Sequence, residues 1–229
     1  MDGFALAGQI RCHPAELERL PADPAAQDAA NAAAAAFTAS GRVDVVGIGT
    51  SHNAALTAAY LLRAAGLDAT AWSSYDYTLY GAGSETAGGK PLLLLSVRSS
   101  CCLACCVPGA HCPAELTHTP RSCSQHTGGK QFSRRAFQGP EGGTPPTSVF
   151  VVTGDQGERK GDEKKGLWEP ELEHSRGTVM FRTCSQESSA MYTVSHLTAM
   201  IAVAMMAEAV TPGCLGGASV STQSLATTP

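Results

Sequence analysis

The chain has 229 residues, 43% hydrophobic and 16% charged, with a formal net charge of −4. That is enough apolar material for the core of one domain. It excludes the basic surface expected of a nucleic-acid binder, and no apolar run reads as long as the roughly 18 residues that span a bilayer. Asp2 stands where a signal peptide would carry Lys or Arg. A cytoplasmic setting with reduced thiols is therefore expected, without membrane attachment.

Taken in order, residues 1 to about 25 show a weak pattern broken by prolines. "PAAQDAANAAAAAFTAS" (24–40) is rich in the best helix former and reads as helix, so residues 1–40 are assigned to an N-terminal helical segment. "RVDVVGIG" (42–49) is an apolar, β-branched run ending in glycines and reads as a buried strand. "TSHNAALTAAYLLRAAG" (50–66) begins with cap-type residues. It carries Ala55, Leu56, Ala59, Leu62 and Ala65 at helical spacing. "LDATAWSS" (67–74), "PLLLLS" (91–96), "TSVFVVTG" (147–154) and "TVMFRT" (178–183) read as further strands. "SAMYTVSHLTAMIAVAMMAEAV" (189–210) reads as a long helix, and 211–229 reads as a disordered tail. Continuous apolar strands alternating with helices predict an α/β fold, a mostly parallel sheet in a three-layer α/β/α sandwich over residues 41–210. Ligands of such sheets bind outside the carboxyl ends of the strands.

At the first of those ends, "GIGTSHNAA" is a strand, a glycine turn and hydroxyls at a helix start. Gly49 lets the backbone approach a ligand. The N–H groups of the first helical turn favour an anion, with Thr50 and Ser51 as added donors; helix capping by Ser51 is the alternative. The lysine of a P-loop and the three-glycine dinucleotide spacing are absent. The expected anion is therefore a small phosphate ester and not a nucleotide, and no cofactor is expected.

The stretch "VVGIGTSHNAALTAAYLLRAAGLDATAWSSYDYTLYG" resembles the opening of the sugar isomerase (SIS) domain family, as in the isomerase half of glucosamine-6-phosphate synthase. Tyr75, Asp76 and Tyr77 stand where the family has an acidic-aromatic segment. "FRTCSQESSAMYTVSHLTAMIAVAMMAEA" resembles the family's Glu-x-x-x-Ala-x-(Tyr/Phe)-Thr region, with looser spacing. The resemblance implies a three-layer fold that binds a phosphosugar, with a homodimer left open. It implies a phosphate loop after the third strand, where some members carry Ser-His-x-Gly-x-Lys.

Reading on from Ser96 gives "VRSSCCLACCVPGAHCPAELTHTPRSCSQ" (97–125), which does not match. With that segment omitted, "PLLLLS" joins "HTGGKQFSRRA". Ser96, His126, Thr127, Gly128 and Lys130 then supply the variant loop, with Lys130 as the cation beside the phosphate. The hypothesis is that residues 97–125 are a translated intron. Valine codons begin GT, so Val97-Arg98 can encode a donor site, and Gln125 as CAG can encode the acceptor. The competing reading is zinc, from Cys102, Cys105, Cys112 and Cys123, but this spacing is permissive, and no metal is assigned.

The implied activity is phosphosugar binding, with aldose–ketose isomerisation as a further step. Glu187 is the candidate base, His126 an aid to ring opening, and Ser188 a further phosphosugar contact. Glu187 can equally serve as a favourable charge at a helix N-terminus. A non-catalytic sugar-phosphate sensor and an inactive isoform are the alternatives. The chain shows one SIS-like unit and no glutaminase nucleophile, so an intact synthase is excluded.

Overall fold

The computed structural model describes residues 5–81, 89–96, 135–153, 179–182 and 193–216. In these residues the elements run α1 (Ala5–Ala22), α2 (Pro24–Ser40), β1 (Arg42–Gly47), α3 (Thr50–Ala64), β2 (Asp68–Ser73), α4 (Ser74–Tyr80), β3 (Leu92–Ser96), β4 (Val149–Thr153), β5 (Val179–Arg182) and α5 (Thr193–Val210). A single helical turn lies at 135–138. The insert 97–125 lies outside the described residues.

All strand pairings are parallel, in the order β2-β1-β3-β4-β5. The α/β class and parallel sheet read from the sequence are thus present. Side chains alternate between the two sheet faces because the strand period is two. Val43 and Val45 of β1, Leu93 and Leu95 of β3, and Phe150 and Val152 of β4 join one core with α2, α3 and α5. Val46, Leu92, Leu94, Val149 and Val151 join a second with Tyr77 of α4 and with Ala136 and Phe137. Burial on both faces explains why these strands read as continuous apolar runs.

The helices form for local reasons. Asp23 caps α2 by accepting from Ala25 N at 3.0 Å, Pro24 follows it, and Gly41 closes the helix with φ 67°. The buried stripe Ala26, Ala29, Ala30, Ala33, Ala34 and Phe37 sits at helical spacing. Phe37 meets Phe150 edge to face at 5.1 Å, tying α2 to β4. In α3 the buried stripe is Ala54, Ala55, Ala58, Ala59 and Leu62. Leu56, expected on it, is 43% exposed. The helical spacing there also fitted the neighbouring face, and packing chose the smaller residues, which let α3 lie close to the sheet.

Within the expected N-terminal helical segment, the weakly patterned residues form α1 in spite of Pro14 and Pro21 inside it. The acidic-aromatic segment forms α4, capped where Ser73 Oγ accepts from Asp76 N at 3.1 Å. By length and composition α5 is apolar enough to cross a membrane, which the reading of apolar runs had not found. Eight of its residues are buried, and it packs among α1, α2 and α3. A helix apolar all round is what such a central position requires. The turns at 211–216 belong to the fold: Thr211 Oγ1 donates to Ala65 O at 2.8 Å, and Cys214 packs against the core. The sequence reading had placed them in the disordered tail.

Candidate ligand site at the carboxyl edge of the sheet

The strand order reverses direction between β1 and β3, and ligands of such sheets bind beyond the carboxyl ends of the strands at that point. The register pairs Val46 with Leu94. Continued two residues, it brings Ile48 beside Ser96. The turn after β1 and the end of β3, singled out separately in the sequence, are therefore adjacent.

The turn itself demands glycine. A Cβ at Gly47 would collide with the Ser51 carbonyl and the His52 amide, so only glycine lets the first turn of α3 rest against the end of β1. Gly49 adopts φ 57° and ψ −125°, a conformation essentially restricted to glycine. It is the N-cap residue of α3, and among the described residues no side-chain cap bond is made there. The backbone closes part of the turn. Ser51 N donates to Ile48 O at 3.1 Å, and His52 N and Asn53 N donate to Gly49 O at 2.9 and 3.2 Å. Thr50 is exposed, whereas Ser51 is 3% exposed and already engaged within the fold. Of the two hydroxyls expected to greet an anion, Thr50 faces solvent, and Ser51 has the buried, structural position.

Ser96 is the last residue of β3 and pairs with Thr153, the last residue of β4. Thr153 was missed by sequence reasoning. Its signal was the hydroxyl of "VVTG" standing just before a glycine at a strand end. Ser73 ends β2 opposite Gly47. Three strands, β2, β3 and β4, thus finish on a hydroxyl residue.

Two buried polar atoms at this edge have no hydrogen-bond partner among the described residues: Nδ1 of His52 in the first turn of α3, and Oγ of Ser74 just after β2. Asp76 is occupied with capping, since Ser73 Oγ donates to its Oδ2 at 2.7 Å. Tyr75 is 41% exposed and its ring lies 6.0 Å from that of Tyr80. The hydrogen bond to Tyr80, and then the charge interaction with it, raise the Tyr75 phenol above its ordinary pKa. Tyr77 is buried on the opposite face.

His126, Thr127, Gly128, Lys130, Glu187 and Ser188 lie outside the described residues. The structure brings together Gly49, Thr50, Ser51 and the backbone of Ser96 from the predicted set. Among the described residues, no group of three or more His, Cys, Asp or Glu side chains is placed to hold a metal ion. No family model matches the chain, and no curated protein matches it.

Proposed function

We propose that this chain binds a small phosphorylated sugar at the carboxyl edge of its sheet, as a single SIS-like module in a reducing, cytoplasmic setting. The observation that carries this reading is the glycine-dependent turn at 47–49, which ends in an α3 N-terminus with no side-chain cap among the described residues, at the reversal between β1 and β3. Such a turn offers N–H groups and the positive end of a helix dipole to an anion. Thr50 and Ser96 add hydroxyl residues, and Lys130 is proposed as the cation. The described cysteines, Cys12 and Cys214, are free thiols, which suits the compartment.

Calorimetry with hexose and amino-sugar phosphates, against the same sugars without phosphate, tests the reading. A charge-assisted contact contributes about 1.5–3 kcal/mol, so Lys130→Ala is expected to weaken binding about ten- to a hundred-fold. Equal binding of the phosphorylated and plain sugars would refute it. Interconversion of an aldose and a ketose phosphate, lost in Glu187→Gln, separates an isomerase from a sensor that binds without turnover.

A further inference from the structure

His13 of α1 and Thr193, the first residue of α5, are joined by a 3.0 Å hydrogen bond between Nε2 and Oγ1. This bond lies at the ligand edge. Thr211, just past the end of α5, donates to Ala65 at the end of α3, so the two helices run side by side in the same direction. Their first turns therefore stand together at the carboxyl ends of the strands, where α3 carries Thr50. In the first turn of α5, one turn from Thr193 on the same side, the buried Nδ1 of His196 has no partner among the described residues.

The rest of α1 packs along α5 mainly through partly exposed side chains. Only Leu20, among its described side chains, is fully buried. Pro14 and Pro21 each lack the N–H that a helix interior uses. The carboxyl end of α1 is anchored where Gln27 Nε2 donates to Pro21 O at 2.7 Å. Among the described residues, His13 adds a polar attachment between the middle of α1 and the start of α5.

We propose that His13 is a positioning residue for this edge. By holding Thr193 it fixes the first turn of α5 beside that of α3, so α1 docks more firmly when a phosphate ester is bound. The proposal rests on the functional reading above and adds the coupling. By reciprocity, whatever loosens α1 weakens the ester, and the ester tightens α1 by the same factor.

The test measures glucose 6-phosphate and glucosamine 6-phosphate affinity by calorimetry in the full chain, in His13→Ala and in His13→Gln, with amide hydrogen exchange of α1 with and without ligand. Loss of one neutral hydrogen bond predicts about a three- to five-fold weaker affinity in His13→Ala. His13→Gln keeps a hydrogen-bonding group at similar reach and is expected to bind within about two-fold of wild type. Exchange of α1 amides is expected to slow on ligand addition in wild type and not in His13→Ala. Wild-type affinity in His13→Ala overturns the proposal and leaves the functional reading standing. If neither ester binds wild type, the functional reading fails and the coupling with it. If His13→Ala does not fold, ligand-independent exchange of α1 in wild type still overturns the proposal.

Discussion

The buried ion pair behind β1 offers the sharpest test of how this fold is held. Lys90 Nζ lies 3.2 Å from Asp44 Oδ1, with the side chains 6% and 1% exposed. Among the described residues the ammonium makes no directed hydrogen bond, so its attraction to Asp44 is Coulombic. Trp72 Nε1 donates to the same carboxylate oxygen at 3.0 Å, and Asp44 N donates to Pro91 O at 3.0 Å, joining β1 to the lead-in of β3. Removing one member of such a pair leaves a desolvated charge, at a cost of about 3–5 kcal/mol, whereas removing both charges is often neutral. Lys90→Met alone is therefore expected to cost about 3–5 kcal/mol. For a domain of this size that is a fall of about 6–20 °C in Tm. Asp44→Asn strands the ammonium and is expected to be similarly damaging, although its amide oxygen still receives the Trp72 N–H. The double variant Asp44→Asn/Lys90→Met carries neither charge and is expected within about 1 kcal/mol of wild type. Urea unfolding of the four proteins gives the cycle. Single variants costing less than about 1 kcal/mol, or a double variant as unstable as the sum of the singles, would refute the argument from desolvation. The exposed pairs Arg42–Asp68 and Arg135–Glu141 serve as controls, since water already screens them.

Three further outcomes are expected. Gly47→Ala forces a Cβ into the Ser51 carbonyl and should cost about 1–3 kcal/mol or more in urea unfolding, whereas Gly8→Ala, in open space on α1, should gain up to about 1 kcal/mol. Burial, and secondarily Asp44, raise the Tyr77 phenol above its ordinary pKa. Its contribution is thus complete below about pH 10 and is lost as pH rises beyond that. Urea midpoints from pH 8 to 11 should show this alkaline loss in wild type and less of it in Tyr77→Phe, which removes a buried hydroxyl without a partner among the described residues and should stay within about 1 kcal/mol at neutral pH. Deleting residues 97–125 leaves 126–148 between β3 and β4, still more than the dozen or so residues a parallel crossover needs. The shortened chain should fold and bind a hexose phosphate more tightly, while equal affinity in calorimetry would show that the segment is compatible with the site. Transcript reads joining the codons of Ser96 and His126 would support the intron hypothesis, and their absence from deep sequencing would remove it.

The parallel α/β class was legible because its signals are local. β1, β3 and β4 are short apolar runs bounded by glycine, serine or threonine, and α2 and α3 carry small apolar residues at helical spacing, α2 with Asp23 as its cap. The turn at 47–49 was legible for the same reason, since glycines followed by hydroxyls mark a strand passing into a helix. Other features depend on residues far apart in the chain. Strand order places Ile48 beside Ser96, and no local pattern encodes which strand pairs with which. Asp44 sits in an apolar strand as a charge without a local reason, and only the fold supplies Lys90 and Trp72 to compensate it. The prolines of α1 argue against a helix, yet α5, apolar on every side, requires a cover, and burying that surface outweighs the lost hydrogen bonds. Leu56 was placed on the wrong face because helical spacing defines a stripe only to within a residue, and the close approach of α3 to the sheet selected alanines. Propensity and periodicity sum over neighbours in the chain; pairing, charge compensation and the choice of buried face are set by neighbours in space.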